Sequence, residues 1–180
     1  NAIPIGNKYL IGDAPLGYTS KYYLFDEEGN YVIPIGSIGH GPGQYNSIRS
    51  VDTDNKNKTI LLETIPKCFE YNWDGVLIDE KIKMDSAGYY PFQTMYAGKN
   101  LYLSTISSPE TREYKAFLYE KEETGLKIIR TYLNYFQREK TGISKGSWGT
   151  TDGKIFRGKD QIRYWRAWDD TIFTFNAKQD

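Results

Sequence analysis

Catalysis needs side chains that move protons, attack electrophiles or hold metals, and this chain groups few of them. His40 is the only histidine and Cys68 the only cysteine among 180 residues. Imidazole titrates near neutrality and could act as a general base. Here, however, it stands in His40-Gly41-Pro42-Gly43, a turn sequence that reads as loop without catalytic duty. One Cys and one His cannot furnish the four ligands of a structural zinc site, and a lone Cys cannot form an internal disulfide. Asp52-x-Asp54-Asn55-x-Asn57, with Glu63 beyond, has the look of a calcium loop. Lys56 occupies a ligand position, though, and Asn57 replaces the required glycine, so a solvated hairpin is the better reading. Glycoside hydrolysis needs two carboxyls about 5 to 10 Å apart. Glu120, Glu122 and Glu123 read instead as solvated residues of a hairpin turn. There is no Gly-x-Ser-x-Gly elbow and no Walker-type phosphate loop, and no helix follows Gly36-x-x-Gly39-x-Gly41. The sequence therefore indicates no catalytic residue, no metal and no cofactor.

The most suggestive cluster is Arg163-Tyr164-Trp165-Arg166-Ala167-Trp168-Asp169. On a strand, Arg163 and Trp165 share one face, while Tyr164, Arg166 and Trp168 share the other. Aromatic rings beside guanidinium groups can stack on sugar faces or grip an acidic partner. Arg163, Trp165, Arg166 and Trp168 are thus the candidate ligand-binding residues. The competing and preferred reading is that the rings fill a seam between sheets, with arginine stems lying along them.

Two recurrent turns position these residues. The first is an aromatic residue, an acid or amide, and then Gly: Phe25-Asp26-Glu27-Glu28-Gly29, Tyr71-Asn72-Trp73-Asp74-Gly75, Tyr119-Glu120 with Gly125, and Phe175-Asn176 near the C-terminus. Asp or Asn bonds its own backbone there and Gly takes a positive φ, which is hairpin chemistry. The second is a small or amide residue with Lys, followed by an apolar strand. It occurs at Gly6-Asn7-Lys8, Asn57-Lys58, Gly98-Lys99-Asn100 and Gly153-Lys154. An apolar or mixed strand precedes three of these copies, at 48–51, 91–96 and 147–151. The first copy sits too near the N-terminus for such a strand to be read.

Two hairpins per unit, in fixed order four times over, predict an all-β protein. The expected fold is a β-propeller of four-stranded antiparallel blades, about four in this chain, at residues 1–38, 45–84, 88–135 and 146–180 of a single domain or propeller fragment. A β-sandwich with similar hairpins is the alternative. Gly and Pro interrupt most windows of helix length, and Thr131 to Lys140 is the best candidate for a short helical turn. A blade face measures about 19 by 17 Å, so leaving one open forfeits about 8 kcal/mol. Self-association through open blade faces is expected on that ground.

Ile35-Gly36-Ser37-Ile38-Gly39-His40-Gly41-Pro42-Gly43-Gln44-Tyr45, with the preceding Phe25 to Gly29, resembles the inter-blade signature of six-bladed propellers related to NHL repeats. Val51-Asp52-Thr53-Asp54 with Asn57 to Ile60, and Trp168-Asp169-Asp170-Thr171-Ile172-Phe173, add to the likeness. The chain is similar to exported six-bladed propeller proteins of Bacteroidota, many of them lipoproteins. Six such blades need about 270 residues, so this chain is partial relative to the ring that the resemblance implies. The resemblance also implies export to the periplasm or cell surface, with lipid anchoring through a removed N-terminal segment. Asp85-Ser86-Ala87 and Asp170-Thr171-Ile172 fit the short glycosylation pattern of such exported proteins.

Composition bounds the function further. Lys and Arg number 23 and Asp and Glu 23, so no global field attracts nucleic acid. No apolar run approaches the roughly 20 residues that span a bilayer, and Asn1-Ala2-Ile3-Pro4-Ile5 is not a signal peptide. The reading that follows is an exported, non-enzymatic binding module for an unknown protein or glycan. The alternative is a glycan-active enzyme, a glycosidase or lyase, on the same scaffold.

Overall fold

In the computed structural model, residues 2–13, 21–64, 67–82, 91–98, 100–106, 113–133, 154–158, 161–165 and 171–175 are described. Among them there is no helix. The strands follow chain order, each antiparallel to its predecessor within a sheet. The first sheet is β1 (Ala2–Ile5), β2 (Lys8–Gly12), β3 (Tyr22–Asp26) and β4 (Tyr31–Ile35). A short parallel pair follows, β5 (Ser37–Ile38) with β6 (Gln44–Tyr45). The second sheet is β7 (Ser50–Asp54), β8 (Thr59–Glu63), β9 (Lys67–Asn72) and β10 (Leu77–Ile82). The third is β11 (Pro91–Gly98), β12 (Leu101–Ile106), β13 (Tyr114–Glu122) and β14 (Gly125–Leu133). The fourth shows three strands among the described residues, β15 (Lys154–Arg157), β16 (Ile162–Trp165) and β17 (Phe173–Phe175). Consecutive small antiparallel sheets, each a meander of two hairpins, are the blades of a β-propeller.

The two turn types do what their chemistry requires. Asp26 Oδ1 accepts from Asn30 N at 2.7 Å and Gly29 N donates to Asp26 O at 3.1 Å. Asn72 Oδ1 does the same for Asp74 N and Val76 N, each at 2.9 Å. In the β7–β8 turn, Asp54 Oδ1 accepts from Lys56 N at 2.9 Å, and Lys58 takes a left-handed φ of 54°. At Gly6, with φ of +58°, a Cβ would lie 2.7 Å from the Trp73 ring. Glycine is thus required there both by conformation and by the indole seated on the turn.

The chain divides into two compact units, Asn1–Lys83 and Met84–Asp180. In the first unit, alternate residues of sheets one and two, with Tyr45 of β6 and Ile48 of the following loop, meet in one core: Ile5, Leu10, Tyr22, Leu24, Ile35, Tyr45, Ile48, Ile60, Leu62, Phe69 and Tyr71. Burying each aliphatic side chain contributes about 1.5 to 3 kcal/mol before chain entropy is subtracted. Polar ties fix sheet one and the β5–β6 loop to sheet two. Lys8 Nζ donates to Trp73 O at 3.1 Å and pairs with Asp74 at 2.8 Å. Gly43 N donates to Glu80 Oε2 at 2.7 Å, and Lys67 holds the other oxygen of that carboxylate. In the second unit, Met95, Leu103, Ala116 and Leu118 pack on Ile155, Ile162 and Tyr164. The Gln93 amide bridges the two inner strands there, donating to Ile155 O at 2.8 Å and accepting from Ile155 N at 3.0 Å. Arg157 adds a bond to Tyr96 O at 2.8 Å.

The face of sheet one turned away from its core carries two cross-strand rows. They are Pro4–Tyr9–Phe25–Tyr31 and Ala2–Ile11–Tyr23–Pro34. Neither row contains a charged residue. Tyr9 is 43% exposed and Tyr31 57%.

Four details depart from the sequence-based expectations. A strand does precede the first Gly-Lys turn, namely β1. It is only four residues long and carries a proline, which masked its alternation. Thr131–Leu133 belongs to β14 and not to a helical turn, because pairing with Tyr114–Phe117 of β13 overrides local helix propensity. The rest of the 131–140 segment lies outside the described residues, as does the strand expected at 147–151. In the fourth sheet Lys154 opens β15, and the hairpin turn is the next glycine-led one, where Gly158 N donates to Gln161 O at 2.8 Å. Finally, Glu120 and Glu122 lie on β13, and only Glu123 lies in the turn that follows.

Candidate ligand-binding face

β15 and β16 turn alternate residues inward, and the register turns that alternation into two distinct faces. Ile155, Ile162 and Tyr164 are buried in the core of the second unit. On the opposite side Lys154 faces Trp165 across the strands, Phe156 faces Arg163, and Arg163 faces Thr174. Phe156 is 40% exposed and Trp165 41%, and Lys154, Arg163 and Thr174 are exposed too. Directly opposed residues have Cβ atoms about 4.5 to 5.5 Å apart, near enough for each cation to lie against the neighbouring ring. The five residues include two cations and two aromatic rings and no acid. Arg166 and Trp168, the other two candidates, lie outside the described residues, as do Asp85, Ser86, Ala87 and Asp170 of the glycosylation patterns.

The other groups with chemical capacity serve the frame. His40 is exposed in the loop between β5 and β6. The calcium-like segment is the β7–β8 hairpin, with Asp54 Oδ2 accepting from Asn57 Nδ2 at 2.8 Å. Glu63 is buried and accepts from Ser50 Oγ at 2.7 Å. Asp26 is held below the usual carboxylate range by the Asn30 side chain and backbone. Asp74 is lowered by the hydrogen bond and charge of Lys8, and Glu80 by Lys67. These depressed carboxyls are turn caps or ion-pair members, the reverse of a general acid's raised value. Burial pushes the Tyr45 phenol well above its ordinary range, and burial together with the Glu80 carboxylate pushes Tyr71 up to about 12.

The Gly36 to Tyr45 segment acts as a clasp. Tyr45 Oη donates to Ile35 O at 2.6 Å, closing the loop on itself. Gln44 Oε1 accepts from Gly41 N at 2.8 Å. Gly36 has φ of +64°, and a Cβ on it would overlap Tyr71 Oη and lie 2.7 Å from Tyr45 Cε1. The signature is therefore read out in packing and backbone conformation.

Sequence reasoning missed Lys115. It is 5% exposed, and its ammonium sits 3.2 Å from the Phe173 ring centroid and 5.7 Å from that of Tyr164. With Thr131, Tyr132, Leu133, Phe173, Thr174 and Phe175 it lines a cavity of about 320 Å³. The available signal was a single charge in an otherwise apolar run, Tyr114-Lys115-Ala116-Phe117-Leu118-Tyr119, in which a strand must turn it inward.

Comparison with known proteins places the fold. The chain superposes on a predicted exported protein from Bacteroides fragilis NCTC 9343 with TM-score 0.72 and 20% identity, over 99% of this chain and 48% of that one. A protein of unknown function from Bacteroides caccae gives TM-score 0.51 at 10% identity, over 96% and 55%. The β-propeller domain of Cps50 (Swd1) from Myceliophteria thermophila gives 0.51 at 11%, over 91% and 50%. The chain thus spans about half the length of each, and the likeness is one of fold. No curated protein matches the sequence. Residues 2–180 match a domain of unknown function, DUF4934.

Proposed function

The chain belongs to the DUF4934 family, and from that premise we propose that it is an exported, non-enzymatic propeller module that binds its partner through the outer face of β15–β17. The observation that carries this reading is the cross-strand pairing of Lys154 with Trp165 and of Phe156 with Arg163 on one exposed surface that, among the described residues, holds no acid. Such a surface favours ring faces, sugar faces and carboxylates, which is to say a protein or a glycan. Arg166 and Trp168 extend the same proposal along the chain.

Export to the periplasm or cell surface, with lipid anchoring, rests on the resemblance to exported propellers and on the predicted exported relative of fold. Kinship to six-bladed NHL-like rings, with residues 1–180 contributing their blades to a single domain, belongs to the same proposal. Among the described residues no helix is long and apolar enough to cross a membrane. The alternative, a glycan-active enzyme, needs a carboxyl pair with one raised pKa. The Lys115 cavity, whose lining among the described residues has a cation and no acid, does not favour it.

Titration with neutral and uronic-acid oligosaccharides, followed by tryptophan fluorescence in the parent chain and in Trp165→Phe, tests the proposal. A saturable change that Trp165→Phe and Arg163→Ala both abolish is expected. The reading is wrong if no glycan moves the signal and neither substitution weakens any association of the chain.

A further inference from the structure

Asp74 is followed by Gly75 in the β9–β10 turn, and among the described residues this is the one Asp-Gly step; Asp152-Gly153 lies outside them. Such a step can react with itself. The glycine backbone nitrogen attacks the side-chain carbonyl carbon of the acid, and no Cβ on glycine obstructs the approach. The amide proton and the carboxyl hydroxyl leave as water, closing a five-membered succinimide. Water then adds back. Opening the ring at the side-chain carbon restores aspartate. Opening it at the main-chain carbon leaves isoaspartate, with the backbone running through Cβ and Cγ. Mass is conserved, and no oxidant or reductant is consumed.

The turn holds both reacting groups. Gly75 N donates to Asn72 O at 3.0 Å, so the nucleophile is engaged. Asn72 Oδ1 accepts from Asp74 N and Val76 N, each at 2.9 Å, which stiffens the backbone on both sides of the step. Lys8 Nζ donates to Asp74 Oδ1 at 2.8 Å and is anchored to Trp73 O at 3.1 Å. The carboxylate is thus gripped by a cation from sheet one, whereas ring closure needs the neutral acid, whose hydroxyl can leave. The hydrogen bond and charge of Lys8 hold Asp74 below its usual range, and the charge of Lys58 adds a weaker pull. Independently of the binding reading, we propose that Asp74–Gly75 is a site of covalent self-modification to isoaspartate, and that Lys8 is its guard.

The product bears on the seam between sheets one and two. Gly75 has φ of +80°, and a Cβ added to it would lie 2.9 Å from Ile33 Cγ2 and 3.3 Å from Ile35 Cδ1. One more atom in the backbone beside so close a seat displaces the glycine from it. The carboxylate, now carried on Cα, also leaves its place beside Lys8. Isomerisation therefore unfastens a tie between the two sheets.

Parent, Lys8→Gln and Lys8→Arg chains, kept folded at mildly acidic pH and physiological temperature beside a guanidinium-unfolded parent, test the proposal. Lys8→Gln keeps a donor for Trp73 O and drops the charge, Lys8→Arg keeps the charge, and circular dichroism checks each fold. Tryptic mapping of the segment 68–81 with electron-transfer fragmentation measures isoaspartate at position 74. It should accumulate at least about threefold faster in Lys8→Gln than in the parent, near the parental rate in Lys8→Arg, and fastest in the unfolded chain. If Lys8→Gln does not fold, the folded parent in high salt takes its place, because screening weakens an exposed ion pair, and the same rise is expected. Aspartate retained at position 74 in both the unfolded chain and Lys8→Gln overturns the inference. So does a Lys8→Gln or high-salt rate equal to that of the parent, and so does a Lys8→Arg rate as high as that of Lys8→Gln, since loss of packing and not of charge would then be the cause. The isoaspartyl chain, separated by ion exchange, should melt below the parent; an equal melting temperature overturns the consequence drawn for the seam.

Discussion

Tyr45 and Tyr71 lie in one core, each 2% exposed, and their hydroxyls have opposite circumstances. Tyr45 Oη donates to Ile35 O at 2.6 Å, whereas Tyr71 Oη is buried with no hydrogen-bond partner among the described residues. Replacing each with Phe removes one oxygen and leaves the ring. Tyr45→Phe deletes a buried bond and strips the Ile35 carbonyl of that donor, a loss of about 1 to 2 kcal/mol. Tyr71→Phe removes a polar atom whose desolvation nothing offsets, a change between neutral and about 1 kcal/mol of stabilisation. For a chain of this size 1 kcal/mol shifts the melting temperature by about 2 to 4 °C. Tyr45→Phe should therefore melt about 2 to 8 °C lower, and Tyr71→Phe at the parental temperature or up to about 4 °C higher. Calorimetry with parallel urea titrations measures both. The reasoning fails if Tyr71→Phe costs as much as Tyr45→Phe, since its hydroxyl would then be satisfied after all, or if Tyr45→Phe costs nothing.

Alkali should weaken the first unit in a defined window. A phenol whose folded pKa is raised to about 12 leaves stability intact below its ordinary value near 10. As pH climbs from 10 to 12 the unfolded chain ionises first, so stability falls by about 2 to 3 kcal/mol. Tyr45 moves in the same direction. Urea midpoints measured from pH 8 to 12 should show this decline, smaller in Tyr71→Phe, and a flat profile would contradict it. Gly36→Ala should lose about 2 kcal/mol or more, because its φ of +64° disfavours a Cβ and the space is held by Tyr45 and Tyr71. A Gly36→Ala midpoint within error of the parent would refute that account.

The fold was legible because its turns carry chemistry of their own. Asp26, Asn72 and Asp54 announce hairpins through side-chain bonds to their own backbone, which need no distant partner. Where an element depends on pairing, local reading failed. Thr131–Leu133 has unremarkable local preferences and becomes strand only because β13 lies alongside. The parallel β5–β6 pair was invisible for the same reason. So was Tyr45's role, because the carbonyl it meets is ten residues back. On the candidate face, alternation alone put Arg163 and Trp165 on one side of a strand. Lys154 and Phe156 became part of the surface only through cross-strand register, which sequence does not print.

Two hydrophobic cores among the described residues have a consequence for biosynthesis. Every residue of the first core, from Ile5 to Tyr71, precedes Lys83, and every residue of the second, from Met95 to Tyr164, follows it. Strands pair with their immediate predecessors, so the loops to be closed are short and the entropic barrier is low. The core from Ile5 to Tyr71 can therefore come together while the trailing half is still being synthesised. A nascent chain of this kind need never present both sets of sticky strands to its surroundings at once.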